Sequence, residues 1–290
     1  MTAPARSPRQ RFVNELRQTE GEIDLARAAL LIACEQYPQL PVDLYLGRLD
    51  QLAERVLERL EGETAPTLVL QELVETLFKR EKFRGNHDAY YDPRNSFLND
   101  VLDRRVGIPL TLGIVMLEVG WRLGLDLEGV NFPHHFLVRF RGESMSLLID
   151  AWDEGEIRFE DQAQELLDRV YGGMVRLRPA FLAAATRRDM LARLLTNLKG
   201  VYLNAHDDDR AISAVERLLL IRPEAISERK TLGLLLARRG RGEEALHHLN
   251  EYLHSLPESS SDARRIASLI ERIRAGDTLD PSELEGEDVG

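Results

Sequence analysis

A histidine and an aspartate are the side chains in this sequence best suited to catalytic chemistry. His135 begins the segment 135–140 and Asp150 ends the segment 147–150, and both segments have the composition of β-strands. The turn-forming residues 141–144 lie between them. The pattern predicts an antiparallel hairpin that brings the histidine and the aspartate together.

The register of this hairpin follows from its turn. If the four turn residues form the loop, Phe140 pairs with Met145 and His135 lies directly opposite Asp150. Directly opposed residues on antiparallel strands have Cβ atoms roughly 5 Å apart. A carboxylate at that distance holds an imidazole in one tautomer and stabilises its cation, as in a nucleophilic triad. A slip of one residue would place His134 opposite the aspartate instead.

The nucleophile that would complete such a triad is missing from its expected place. A thiol is best activated at a helix N-terminus, and the apolar helix predicted nearby begins Ile108-Pro109-Leu110-Thr111. The single cysteine, Cys34, lies on the apolar stripe of an early helix, where a packed thiol is inert. Thr111 is an alternative nucleophile, although a threonine at a helix start more often serves as a cap.

A metal site is a further alternative for the same region. His134, His135, Asp150, Asp153 and His87 are suitable ligand types. Adjacent strand residues point to opposite faces, however, so we expect no metal site and no cofactor.

A long polar loop precedes the apolar helix. Within it, Asp88, Tyr90 and Tyr91 lie near the expected mouth of the cleft. Their location in a loop is the only reason to consider them for binding.

The elements that must position these residues are mostly helical. Apolar residues recur with helical spacing through the first eighty residues, and the segment 110–123 is apolar on almost every face, which indicates a buried helix. Strands are expected at Val130, 135–140 and 147–150, and helices from Glu160 to the end. The sequence therefore predicts an α+β fold with a small antiparallel sheet.

The C-terminal third contains a repeat. Three kinds of residue recur at the same interval: leucine, alanine and proline in that order along the chain, as Leu198 and Leu232, Ala211 and Ala245, and Pro223 and Pro257. An interval of about 34 residues with this order is the tetratricopeptide (TPR) signature. The alanine lies where the two helices of a repeat cross, and a final helix over 262–274 would cap the array.

Composition narrows the class of protein. A formal net charge of −11 argues against a general nucleic-acid binder. One cysteine excludes an internal disulfide, and no apolar run approaches the roughly 18 residues that span a bilayer. No signal peptide is recognisable, so we expect a cytoplasmic protein that binds no membrane. Residues 276–290 are acidic and are expected to be disordered.

Several motifs together resemble the bacterial SirB-type, invasion-regulator-like family. They are Asp92-Pro93-Arg94-Asn95-Ser96-Phe97-Leu98, Arg104-Arg105-Val106-Gly107-Ile108-Pro109-Leu110, Arg122-Leu123-Gly124-Leu125, His135-Phe136-Leu137-Val138 and Ile149-Asp150. The resemblance implies a transglutaminase-like (papain-like) core followed by TPR repeats. It also implies that the nucleophilic cysteine would stand where this chain has Pro109, and that His135 and Asp150 match the family's histidine and aspartate. His134 stands where glycine is commoner.

The resemblance and the repeat give the expected organisation. We expect a flexible N-terminus (1–19), a transglutaminase-like core with N-terminal helices (20–175), TPR-like repeats (180–275) and an acidic tail (276–290). The leading hypothesis is a non-catalytic adaptor or regulator that binds a protein or peptide partner in the groove of its repeats. The alternative is a hydrolase or acyl transferase that uses a non-cysteine nucleophile with His135 and Asp150.

Overall fold

Two compact units make up the chain. The computed structural model describes residues 7–143, 145–257 and 259–277. The first unit is Met1–Leu194 and the second is Leu195–Gly290, so the division falls within one long helix rather than between residues 175 and 180, where the sequence analysis places the boundary. The first unit combines helices with a small antiparallel sheet, and the described part of the second is helical, which confirms the predicted fold class.

The first unit begins with helices and then alternates short strands with helices. Its α-helices are α1 (Pro8–Leu16), α2 (Leu25–Ala33), α3 (Val42–Leu60), α4 (Pro66–Val74), α5 (Leu98–Arg104), α6 (Pro109–Arg122) and α7 (Ala163–Tyr171). A π-helix (Glu75–Arg80) follows α4, and short 3-10 turns cover Pro93–Asn95, Glu160–Gln162 and Pro179–Leu182. The strands are β1 (Arg84–Gly85), β2 (Val106–Gly107), β3 (Leu127–Val130), β4 (Leu137–Arg141), β5 (Ser146–Asp150), β6 (Glu156–Phe159) and β7 (Ala184–Ala185).

The N-terminal segment corrects one expectation. Within the stretch expected to be flexible, α1 is a capped helix: the Ser7 hydroxyl accepts a hydrogen bond from the Gln10 backbone N–H. Phe12 anchors this helix because its side chain is fully buried. One apolar anchor and one cap are a weak signal in the sequence, but packing against α2 makes them sufficient. Residues 1–6 lie outside the described residues.

Helix α6 is the buried helix that the sequence predicts. Every residue from Pro109 to Gly120 is buried. Gly113 lets the Phe136 ring approach so closely that a Cβ at this position would lie 2.5 Å from a ring carbon. A Cβ at Gly120 would lie 2.2 Å from a side-chain carbon of Leu127, so Gly120 likewise allows Leu127 to pack closely. The two glycines therefore allow the sheet to pack directly on the backbone of α6.

The larger sheet has five antiparallel strands in the order β6-β5-β4-β3-β7. Alternate residues of β4 face opposite sides: Val138 faces α6, whereas Leu137 packs in a cluster with Leu167 of α7. The sheet thus lies between α6 and α7. Strands β1 and β2 form a separate parallel pair.

The hairpin register differs from the predicted one. Phe140 pairs with Leu147 and Arg141 with Ser146, so the prediction that Phe140 pairs with Met145 is wrong. The partner of every residue on β4 moves by two positions. Because side chains alternate along a strand, a shift of two keeps each residue on its predicted face. Asp150 therefore still faces the side on which His135 approaches.

The second unit contains the repeated helices. They are the C-terminal part of α8 (Arg187–Asn204), then α9 (Asp208–Ile221), α10 (Ile226–Arg238), α11 (Gly242–His254) and α12 (Ser261–Ala275). The leucine and alanine positions of the repeat are buried: Leu198, Leu232, Ala211 and Ala245. The proline positions, Pro223 and Pro257, are exposed. Residues 278–290, most of the expected acidic tail, lie outside the described residues.

Candidate functional site

His135 lies in a tight turn just before β4 rather than in the strand itself. Its backbone N–H donates to the Phe132 carbonyl oxygen at 3.0 Å. The preceding residue, His134, has a φ of +53°, a left-handed conformation that glycine adopts at lower cost. Phe136 is completely buried against Gly113. A strained residue on one side and a buried ring on the other fix the direction of the His135 side chain.

The His135 imidazole contacts the Asp150 carboxylate. Its Nε2 atom lies 2.8 Å from both Asp150 oxygens. The aspartate is buried, and its Oδ1 atom also accepts hydrogen bonds from the backbone N–H groups of Trp152, at 3.0 Å, and Asp153, at 3.3 Å. The carboxylate is therefore fixed from three directions, and the imidazole is held by the nitrogen that faces it.

The second ring nitrogen of His135, Nδ1, is available for other contacts. It forms no hydrogen bond within the described part of the chain, and it is not among the enclosed polar atoms that lack a partner. An ionised carboxylate only accepts hydrogen bonds, so Nε2 carries the hydrogen and Nδ1 of the neutral ring is an acceptor. This arrangement is the orienting half of a nucleophilic triad, with the nitrogen that would face a nucleophile left open.

The position expected for the nucleophile is occupied by proline. Pro109 is the first residue of α6 and is buried. It lies four residues before Gly113, so the two share one side of the helix, and Gly113 contacts Phe136, the neighbour of His135. Proline has no group that can attack a carbonyl.

Thr111, the alternative nucleophile, is a helix cap. Its hydroxyl donates to the Asn95 carbonyl oxygen at 2.7 Å and accepts from the Ile108 N–H at 3.1 Å. It makes no hydrogen bond to His135 in the described chain, and its role as an alternative nucleophile stays a prediction. Cys34 is buried at the C-terminal cap of α2. Within the described residues, no hydroxyl or thiol hydrogen-bonds to the His135 ring.

A buried asparagine connects this helix start to the polar loop. The Asn95 side-chain amide donates to the carbonyl oxygens of Ala89, at 2.7 Å, and Tyr90, at 3.1 Å, and its oxygen accepts from the Asn86 amide at 2.9 Å. Its backbone carbonyl is the one that accepts from Thr111. Asn95 therefore fixes the loop relative to α6, a role that sequence reasoning did not assign to it.

Aromatic side chains extend from Asp150 toward this loop. The Trp152 ring lies 4.5 Å from the His87 ring and 5.8 Å from the Tyr90 ring, measured between centroids. It packs over Gly85, where a Cβ would lie 2.7 Å from the indole. Of the loop residues considered in the sequence, Tyr90 joins this cluster, whereas Asp88 is exposed at the surface.

Tyr91 is the third of those loop residues. Its side chain is 67% exposed, and its ring lies 5.3 Å from that of Tyr90, measured between centroids. Trp152 gave no signal in the sequence apart from its position two residues after Asp150.

One group of possible metal ligands exists in the described residues, and it lies elsewhere. His247, His248 and Glu251 of α11 bring ligand atoms within 4.8 Å of one another. The Glu251 carboxylate also pairs with the Arg229 guanidinium, which opposes a second positive charge there. His134 and Asp153, two of the ligands considered in the sequence, are exposed and belong to no such group.

The described helices contain none that is both long and apolar enough to span a lipid bilayer.

Comparisons with known proteins agree with this architecture. Residues 43–196 match the transglutaminase-like superfamily, and residues 198–271 match the tetratricopeptide repeat. The chain is therefore a transglutaminase-like protein with C-terminal TPR repeats, and it belongs to the bacterial UPF0162 family, the SirB-like family that the motifs resemble. The UPF0162 protein of Xylella fastidiosa strain 9a5c is 35% identical over 85% of this chain and 89% of its own length.

Two further relatives are less similar or match only part of the chain. The UPF0162 protein of Pseudomonas aeruginosa is 32% identical over 74% of this chain and 78% of its own length. F-box only protein 21 of Homo sapiens is 38% identical over 85 residues, which are 29% of this chain and 14% of that protein. No solved structure gives a significant match.

Proposed function

We propose that this protein is a non-catalytic adaptor or regulator that binds a protein or peptide partner through its TPR unit. One observation carries the proposal: the first residue of α6, where a nucleophile would stand, is a buried proline. Thr111, the nearest hydroxyl on that helix start, is used for capping. TPR repeats generally mediate interactions between proteins, and an array of them offers a concave surface.

Ion pairs between helices of different repeats indicate which surface the repeats form together. Lys199 of α8 pairs with Glu228 of α10 at 2.6 Å, and Lys230 of α10 pairs with Asp262 of α12 at 2.9 Å. These pairs connect the first helices of successive repeats, α8 with α10 and α10 with α12, and each pair is partly buried. We take the surface formed by these first helices as the shared face. We propose that the partner binds along this face.

The test is partner capture with matched charge reversals. The full chain serves as bait, and captured proteins are identified by mass spectrometry. Lys230→Glu reverses a charge on the shared face, whereas Arg210→Glu makes the same change in charge on α9, where Arg210 pairs with Asp207 three residues earlier. We expect the Lys230 variant to lose the partner and the Arg210 variant to retain it. Equal capture by both variants would exclude this face.

A hydrolase or acyl transferase with a non-cysteine nucleophile is the second candidate. The observation in its favour is the His135–Asp150 contact with Nδ1 open, because such a histidine can act as a general base toward a bound water. Hydrolysis of activated esters or amides that disappears in His135→Ala, with the fold intact by circular dichroism, would favour it. A rate in wild type equal to that of the variant excludes it.

A further inference from the structure

An arginine adjoins the turn that carries His135. The Arg193 Nη1 atom donates to the Asn131 side-chain oxygen at 3.2 Å and to the Phe132 carbonyl oxygen at 3.4 Å. The same Phe132 oxygen accepts from the His135 backbone N–H. The guanidinium carbon also lies 6.0 Å from the centroid of the Phe136 ring. Arg193 is therefore a direct neighbour of the histidine turn, although 58 residues separate them in the sequence.

The Arg193 guanidinium has no carboxylate partner among the described residues. Its two hydrogen bonds go to neutral oxygens, and burial lowers its pKa, with the Tyr90 phenol the single opposing influence. Nε and Nη2 form no hydrogen bond with described residues and are not enclosed. A guanidinium carries five N–H groups, so the donors on these two atoms are open. A half-desolvated cation with a free planar fork is a site for an anion, above all a carboxylate.

Two aromatic side chains, Tyr90 and Trp152, also belong to this cleft. Burial raises the pKa of the Tyr90 hydroxyl, and the Arg193 charge acts against that increase, so the phenol lies within electrostatic range of the guanidinium. Tyr90 contacts Trp152, and Trp152 donates its backbone N–H to Asp150. Contacts thus run from Arg193 through His135, Asp150 and Trp152 to Tyr90, whose phenol lies within electrostatic range of Arg193 again.

We propose that this cleft binds the C-terminal residue of a peptide. The carboxylate would lie on the open N–H groups of Arg193, and the amide N–H of the same residue would donate to Nδ1 of His135. The two ligand groups are attached to one Cα atom, which suits neighbouring recognition groups: the Arg193 guanidinium donates to the same Phe132 carbonyl oxygen that accepts from the His135 backbone N–H. An apolar side chain would pack on Trp152 and Tyr90. This inference rests on the proposed non-catalytic role of the site and gives its ligand.

The smallest probe with all these features is N-acetyl-L-phenylalanine. It has a carboxylate, an amide N–H and an aromatic side chain. Its C-terminal amide removes the charge, and 3-phenylpropionate keeps the charge but lacks the amide N–H. Binding is followed by NMR of the ¹⁵N-labelled full chain through the indole N–H of Trp152 and Nε–H of Arg193. Trp121, the second tryptophan, donates to the Leu127 carbonyl oxygen and is the internal reference.

The acid should shift the Trp152 and Arg193 signals saturably and leave Trp121 unchanged. We expect the amide to bind at least tenfold more weakly and 3-phenylpropionate to bind with intermediate affinity, because each lacks one of the two polar contacts. Equal shifts with the acid and the amide would overturn the proposal. So would the absence of any shift at roughly 10 mM acid, a concentration above the Kd of even a millimolar site.

Variants test the role of the arginine. Arg193→Gln should abolish the shift, and Arg193→Lys, which keeps the charge but not the planar fork, should weaken binding severalfold. Arg59→Gln is the matched control, because Arg59 is exposed on α3 and forms no ion pair within the described chain. If Arg193→Gln does not fold, the comparison of acid with amide on the wild-type chain still decides the question. Unchanged binding in a folded Arg193→Gln variant would refute the assignment.

The outcomes separate this inference from the proposed function. Loss of partner capture in Lys230→Glu together with no binding of the acid would refute the cleft ligand alone. Binding of the acid with no specific capture by the repeats would refute the adaptor role alone. Conversion of the amide to the acid during the titration would refute the non-catalytic role and would be visible in the same spectra.

Discussion

Restoring a thiol at the start of α6 tests whether the His135–Asp150 pair still forms half of an active site. The variant is Pro109→Cys in a Cys34→Ala background, so that it carries one thiol. The new side chain lies at a helix N-terminus, on the side of α6 that faces Phe136, the residue just before strand β4. A helix N-terminus and a neighbouring histidine both stabilise a thiolate.

The magnitude follows from the ionised fraction of the thiol. An ordinary cysteine has a pKa near 8.5 and is about 0.3% ionised at pH 6. Activated cysteines have pKa values of roughly 3.5–7.5, and one with a pKa near 6 would be about half ionised at pH 6. The gain of about 150-fold in thiolate is offset about tenfold by the lower intrinsic nucleophilicity of a less basic thiolate. The net expectation is alkylation roughly tenfold faster than that of an ordinary thiol.

The assay is the rate of iodoacetamide alkylation at pH 6, measured by intact mass. The control is the same chain with His135→Ala, which keeps the helix N-terminus but removes the imidazole. We expect the rate to fall severalfold in the control and the pH profile of alkylation to move toward that of a free thiol. Identical rates and profiles with and without His135 would show that the imidazole does not reach the start of α6, and the interpretation of the site as half of a triad would then fail.

Three further predictions concern the elements that hold the site and the repeats. Asn95→Ala should reduce the free energy of unfolding by about 2 kcal/mol, because it removes a buried side chain and leaves two partly buried carbonyl groups without their donors. Urea denaturation measures this, and Asn204→Ala at an exposed helix end should have almost no effect. Gly113→Ala should cost about 1–3 kcal/mol by forcing the Phe136 ring away, whereas Gly200→Ala, with open space around it in α8, should stabilise by about 0.5–1 kcal/mol in the same titration. Burial alone would raise the pKa of Asp262, but hydrogen bonds from Tyr252 and Lys230 hold it below the ordinary value; its stabilisation is therefore present above the unfolded pKa of about 4 and lost as the pH falls through the folded pKa, so thermal unfolding of wild type and Asp262→Asn should converge at low pH.

The sequence predicts the His135–Asp150 contact, although the geometry from which it was derived is partly wrong. The predicted turn places the loop one residue too early, and the observed register moves every pairing on β4 by two positions. The contact survives because a shift of two preserves the face, and because His135 lies in a turn before the strand. From there its side chain reaches diagonally to Asp150, and diagonal neighbours lie within reach of a long side chain.

Two strands of the larger sheet, β6 and β7, escape prediction for physical reasons. In β6, Ile157 and Phe159 are exposed and Arg158 is buried, so the usual relation between polarity and burial is reversed. The Arg158 charge is balanced by Glu156, which lies two residues earlier on the same face of the strand. Strand β7 is the dipeptide Ala184–Ala185, which is too short to show a period. The TPR repeat, by contrast, was predictable because its signal recurs along the chain itself.

Beyond His135 and Asp150, Arg193 and Trp152 could not be predicted as cleft residues, and Tyr90 was considered only because it lies in a loop, since the three converge from distant parts of the sequence. Arg193 belongs to α8, Trp152 to the turn after β5 and Tyr90 to the loop before α5. If the histidine–aspartate contact served stability alone, we would expect both ring nitrogens of His135 to form hydrogen bonds and the Arg193 guanidinium to be paired with a carboxylate. Here Nδ1 is open, the Arg193 fork lacks a carboxylate and Tyr90 is 43% exposed. These groups are open to solvent in the isolated chain. One bound residue with a carboxylate, an adjacent N–H group and an apolar side chain would contact all of them, which is why we favour binding over a purely structural role.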